Sequence, residues 1–218
     1  DNVLNRRQFL VRSAKAGAAI AAAGAAGFWF HDAKGPDRPA EQHSDIRLPD
    51  FSIAGLGAKM SIVHGQDRVA TLRLAIKSLG GIETFIKKGD RVLLKVNAAF
   101  ASPAMLSATT HPAIIAEITA RCYGAGAAAV VVTDNPINDP ASCFNLTGIA
   151  EAARGAGAQV VLPRAELFKS LTVPQAKLIR NRPVLYQPLA DITKVIGMTP
   201  VKDHHRSGAS MTMKNWYG

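Results

Sequence analysis

The sequence predicts an α/β fold, a mostly parallel sheet with helices on both faces, preceded by an N-terminal helix that anchors the chain in a membrane. Three observations predict it. Two short apolar runs, Val92 to Leu94 and Val130 to Val132, show no alternation and end in polar residues, as strands buried on both faces do. Between them Ile114, Ile115, Ile118 and Cys122 recur at helical spacing, and Gly124 and Gly126 stop the helix. Arg91 to Pro136 is therefore a βαβ unit, whose crossover is expected to be right-handed. Third, Ala16 to Phe30 is free of charge and rich in Ala and Gly.

The elements follow in chain order. Arg6 and Arg7, then Phe9 and Leu10, then the mild Ala/Gly segment resemble a twin-arginine export signal. Small residues suited to cleavage are hard to find after Phe30, so the signal is expected to stay attached as a single transmembrane helix over residues 1–30. Its fifteen apolar residues span about 23 Å at roughly 1.5 Å each, against a hydrocarbon core of about 30 Å. Trp29 and Phe30 at one interface and Arg12 and Lys15 snorkelling at the other make up the difference. The arginines put the N-terminus in the cytoplasm and the α/β domain in the periplasm. Residues 31–50, with Pro36, Pro39 and Pro49, read as a linker, and 51–218 as the α/β domain.

Within that domain, Lys59 to His64 looks like a first strand and Arg68 to Leu79 a helix with Val69, Leu72, Ala75, Ile76 and Leu79 on one face. Ile82 to Ile86 is a helical turn, followed by the central βαβ unit. The two-proline stretch after Asp134 reads as a loop over the carboxyl edge, suited to covering a ligand. Thr147 to Arg154 is a short helix, and Gln159 to Leu162, Val184 to Gln187 and Thr193 to Met198 are strands.

Composition bounds the function. With 48% hydrophobic and 19% charged residues among 218, the chain is globular rather than disordered. Of the net charge of +10, Arg6, Arg7, Arg12 and Lys15 against Asp1 account for +3, and the remaining +7 is spread thinly, without Lys/Arg blocks interleaved with aromatics, which argues against nucleic acid. An anionic ligand, a membrane surface or an acidic partner fits the charge. Cys122 and Cys143 are too few for an iron–sulfur cluster or a Cys-rich zinc site. Cys122 belongs to the apolar helix face. Cys143 falls in a loop, and the two could oxidise outside the cytoplasm only if geometry allowed. Ser/His/Asp nucleophile patterns and phosphate-binding Gly loops are absent from the sequence.

In parallel sheets ligands sit beyond the carboxyl ends of the strands. Lys95, Asn97, His111 and Asp134 all fall there, so they are expected to share one edge. Each also has a plain local reading: Lys95 as a solvated strand end, His111 as a helix cap before Pro112, Asp134 as a strand-to-turn exit. His204-His205 is the pair best suited to a metal, with Asp203 and His64 as companions. Adjacent histidines on an extended chain point to opposite faces, however, and nothing has dedicated ligand spacing. No cofactor is expected.

The order V-L-L-K-V-N, T-H-P, G-A-G-A before V-V-V-T-D-N-P, T-G-I-A-E, T-P-V-K-D-H-H and M-K-N-W-Y-G resembles the uncharacterised domain-of-unknown-function family 362, over roughly Lys59 to Gly218. The resemblance implies that Lys95 with Asn97, Lys202 with His204, and Lys214 with Asn215 are family motif positions. Val96 stands where the family has Pro, and Asp203 where it has Thr. It also implies a longer domain than the visible one. The iron–sulfur segment that some members carry has no Cys-rich counterpart here. Lys95, Lys202 and Lys214, with the amides of Asn97 and Asn215, would then form a cationic pocket for a phosphate or carboxylate. Two functions are expected from these readings. One is an accessory subunit of a larger membrane complex, with an electron-transfer host suggested by analogy with other twin-arginine cargo. The other is a small-anion-binding protein or enzyme that uses the Lys/Asn/His/Asp edge.

Overall fold

In the computed structural model, residues 5–31, 46, 48–173, 177 and 180–217 are described. The chain divides into two units, Asp1–His43 and Ser44–Gly218. Most of the expected linker, 32–45 and 47, lies outside the described residues.

The first unit contains helix α1, Arg6–Trp29. It starts at a reciprocal cap in which Asn5 Oδ1 accepts from the Gln8 amide at 2.9 Å, while Gln8 Oε1 accepts from the Asn5 amide at 3.1 Å. The Ala-rich sequence that follows has high helix propensity. No helix among the described residues is long and apolar enough to cross a membrane. The expected transmembrane anchor is thereby corrected. At about 1.5 Å per residue the 24 residues of α1 are long enough. Arg6, Arg7, Arg12 and Lys15, however, occupy its first half, and the remainder is mainly Ala and Gly, which carry little apolar surface.

The second unit is built on a four-stranded, all-parallel sheet. Helix α2, Arg68–Ser78, precedes strand β1, Arg91–Lys95. Helix α3, Pro112–Gly124, leads to β2, Ala129–Thr133. Helices α4, Pro140–Leu146, and α5, Ile149–Gly155, lead to β3, Gln159–Val161. An antiparallel hairpin, β4 (Phe168–Leu171) with β5 (Arg182–Leu185), precedes β6, Lys194–Gly197. The chain closes with the hairpin β7 (Lys202–His204) and β8 (Gly208–Ser210) and the short helix α6, Thr212–Asn215. The sheet order is β3-β2-β1-β6. The chain winds outward from β1 to β3 and returns to the other side of β1, so the strand order reverses between β1 and β6.

The expected parallel pairing of β1 and β2 is observed, Val92 opposite Val130 through Leu94 opposite Val132, with all six side chains buried. Strand alternation divides them. Val92, Leu94, Val130 and Val132 enter the large core with Ile115, Ile118, Cys122, Phe144 and Ile149 from the helices. Leu93 and Val131 enter a small second core with Leu189, Ile192 and Phe51. The second face is thus covered by a 3-10 turn (Gln187–Leu189) and extended chain, rather than by the helices expected on both faces. Helix α2 packs at the rim through Leu72 and Ile76. A bidentate Arg73–Glu117 ion pair, at 2.7 and 2.8 Å, ties it to α3.

Two further expectations fail. Lys59 to His64 has the pattern of a strand but forms none, and Met60 and Ile62 are exposed, because no strand offers it a ladder. The stretch after Asp134 is only partly loop. Asp139 accepts from the Ser142 amide and Pro140 fills the first turn, so α4 forms and carries Cys143 into the core.

Candidate functional site at the carboxyl edge

The ends of β1 and β2 bring Lys95 and Asp134 together, both buried at 6% and 2% exposure. The Lys95 ammonium is ion-paired with Asp134 Oδ1 and donates to the Asn215 carbonyl at 2.6 Å. Asp134 Oδ2 accepts from the Ala98 amide at 2.6 Å. A buried ion pair survives only when its remaining bonding capacity is met, and here the backbone meets it.

Asn97, two residues past Lys95, is the junction. Its Nδ2 donates to Asn215 Oδ1 at 2.9 Å, and its Oδ1 accepts from Lys202 Nζ at 3.0 Å. Asn215 Nδ2 in turn donates to the Val96 carbonyl at 3.1 Å. Thr110 locks the same junction. Its Oγ1 accepts from the Asn97 amide at 2.8 Å and donates to the Met198 carbonyl at 2.7 Å, joining the ends of β1 and β6. The sequence reading passed over Thr110, although it stands directly before the T-H-P histidine. Only its position opposite two strand ends distinguishes it.

Lys202 is half-buried. It donates to the Ala108 carbonyl at 2.5 Å, and its ammonium lies 5.2 Å from the Phe100 ring centroid. Burial lowers its pKa from the ordinary value, and the nearby charge of Lys214 lowers it further, against the opposing pull of Asp134. No carboxylate lies within ion-pairing distance of Lys202 or Lys214 among the described residues. Of the three expected lysines, Lys95 is therefore spent on Asp134, and the uncompensated positive charge belongs to Lys202 and Lys214. The void beside Lys95 and Asp134, closed by Trp216 and Leu189, is about 70 Å³, room for a few waters and no organic ligand.

Five of the eight candidate residues thus form one bonded cluster: Lys95, Asn97, Asp134, Lys202 and Asn215. Lys214 joins it through its field alone. His204 and His111 stand apart. His204 Nδ1 accepts from the amides of Arg206 and Ser207, both at 3.3 Å, which pins the β7–β8 turn. Its ring stacks on His205 at 5.1 Å between centroids, instead of facing the opposite way, because the strand ends at His204 and the chain turns there. Burial, then the Lys214 charge, lowers the His204 pKa. No group of three His, Cys, Asp or Glu side chains that could hold a metal ion occurs among the described residues. His111 is the N-cap of α3, with Nδ1 accepting from the Ala113 amide at 3.3 Å. Burial lowers its pKa, and so does the charge of Arg68.

Residues 92–218 match the family model described as a domain of unknown function, DUF362. No curated protein and no solved structure matches the chain.

Proposed function

The chain belongs to the DUF362 family, a membership that names no activity, and we propose that it binds a small anion, a phosphate or carboxylate, over Lys202 and Lys214 at the carboxyl edge of the sheet. The observation that carries this reading is the Lys202 ammonium. It is half-buried and has no carboxylate partner among the described residues, and two of its three donors are bound to Asn97 and Ala108 while the third has no hydrogen-bond acceptor among them. An anion would complete it. Lys95, Asp134 and Asn215 form the rigid floor and do not touch the ligand. Calorimetric titration with inorganic phosphate and with citrate tests the reading. Lys202→Ala should weaken binding roughly ten- to hundredfold, and added salt should weaken it in the unaltered protein. Equal binding by Lys202→Ala would refute it.

A second reading has its own support. Val201, Met211, Met213, Trp216 and Tyr217 expose large apolar side chains within the family-matched stretch, as the docking face of an accessory subunit would. On this reading the chain is exported through the twin-arginine route by Arg6-Arg7 and α1. It works on the outer side of the cytoplasmic membrane, bound to a membrane complex, with an electron-transfer complex as the host. N-terminal sequencing of the protein from membranes, with native mass spectrometry in mild detergent, tests it. A soluble protein lacking α1 and running as a lone chain would count against this reading.

A further inference from the structure

A second cavity, which adjoins the lysine cluster through Thr110, opens at the point where the strand order reverses between β1 and β6. It measures about 450 Å³, within the size range of small-molecule sites. Its walls come from α2 (Leu72), α3 (Ile114, Ile118) and the end of β6 (Ile196, Met198), and neither Lys202 nor Lys214 lines it. Ligands of open parallel sheets lodge at such reversals.

Six residues of its wall are polar, Arg68, Ser107, Thr109, Thr110, His111 and Thr199, and of these only Arg68 and His111 can carry positive charge. Arg68 lines it, exposed and without an ion pair among the described residues, and close enough to depress the pKa of His111. His111 lines it too. With Nδ1 accepting from the Ala113 amide, the proton of the neutral ring belongs on Nε2, which leaves that N–H to donate. Thr109, 3% exposed, contributes a hydroxyl that has no hydrogen-bond partner among the described residues. No acidic side chain among the described residues lines the cavity.

We infer that this cavity binds an aliphatic monocarboxylate, with its carboxylate held by Arg68 and His111 and its chain lying along Leu72, Ile114, Ile118, Ile196 and Met198. The first turn of α3 offers no phosphate cradle. Pro112 has no amide hydrogen, and the amides of Ala113 and Ile114 are taken by His111 Nδ1 and the His111 carbonyl. One guanidinium matches the two oxygens of a carboxylate.

Octanoate is the probe, titrated calorimetrically into the full chain beside octylamine and acetate. Octanoate should bind saturably and more tightly than either. Arg68→Ala, at an exposed helix start, should weaken octanoate about tenfold. His111→Asn keeps a capping side chain but loses the Nε2 donor, and should also weaken it. Arg164→Ala, a charge-matched control at a remote exposed site, should leave it unchanged. Absence of octanoate binding, equal binding of octylamine or acetate, or full binding by Arg68→Ala would each overturn the inference.

Discussion

Asp134 shows how one side chain can look local in sequence and act over long range. Asp-Asn-Pro is an ordinary exit from a strand, yet both carboxylate oxygens of Asp134 are taken, one by Lys95 and one by the Ala98 amide. Asp134→Ala leaves a buried ammonium unpaired and should lower the unfolding free energy by about 3–5 kcal/mol, measured by urea denaturation. Asp134→Asn keeps an acceptor for Ala98 and should cost less. His111 gives the domain a pH dependence. The folded state holds its pKa below the ordinary 6.5, so between the two values the unfolded chain binds more protons and stability rises with pH. The contribution is complete above 6.5 and is lost as pH falls through the folded value. His111→Asn should flatten that slope in thermal melts. Cys122 and Cys143 are free and buried, and burial pushes the Cys122 thiol up to about 11. Both should resist iodoacetamide in the native protein and react once it is unfolded, as mass spectrometry can follow. At this scale the sequence placed Lys95, Asn97 and Asp134 correctly on one edge, because strand ends must lie there. It could not distinguish a free lysine from a paired one, since pairing depends on which strand sits beside which.

The elements that periodicity could identify were those that present a buried face to the core. β1 and β2 carry uninterrupted apolar residues because both faces of the sheet are covered there, and α3 carries helically spaced ones because one of its faces lies on the sheet. Lys59 to His64 carried a similar signal without a partner strand, and pattern alone cannot supply a partner. α4 was hidden because its two stop signals, Asp139 and Pro140, are also a helix cap and a first-turn proline. The turn from α3 into β2 depends on Gly126. Its φ is +92°, and a Cβ there would lie 3.1 Å from the Lys88 Cα, a backbone atom that cannot swing away. The Gly126 carbonyl also accepts from the Gly89 amide, so the turn anchors the loop ahead of β1. Gly126→Ala should lower stability by at least about 1–2 kcal/mol from the backbone strain alone, read from the shift in denaturation midpoint.

Across the whole molecule, both apolar cores and the carboxyl-edge cluster lie in Ser44–Gly218. Removing Asp1–His43 should therefore leave the unfolding free energy of the remainder within about 0.5 kcal/mol, by matched urea titrations of the two chains. The α/β class was legible as a whole because hydrophobic runs joined by helical spacing have few other solutions. The sheet order was not, since nothing local marks β6 as the neighbour of β1. That neighbour relation governs how the protein acquires its structure. The Arg91 amide bonds to the Thr193 hydroxyl across 102 positions of sequence, and the β1–β6 ladder follows from there. Closing so large a loop is entropically slow, and proteins dominated by distant pairings fold late and slowly. A nascent chain that has emerged only as far as β5 already holds β1, β2 and β3 but leaves one side of β1 with bare amides and carbonyls. Such an unpaired edge invites association with another chain. Pulse-labelled hydrogen exchange during refolding should show the β1–β2 amides protected before those of β6, with a window between the two in which the open edge of β1 is exposed.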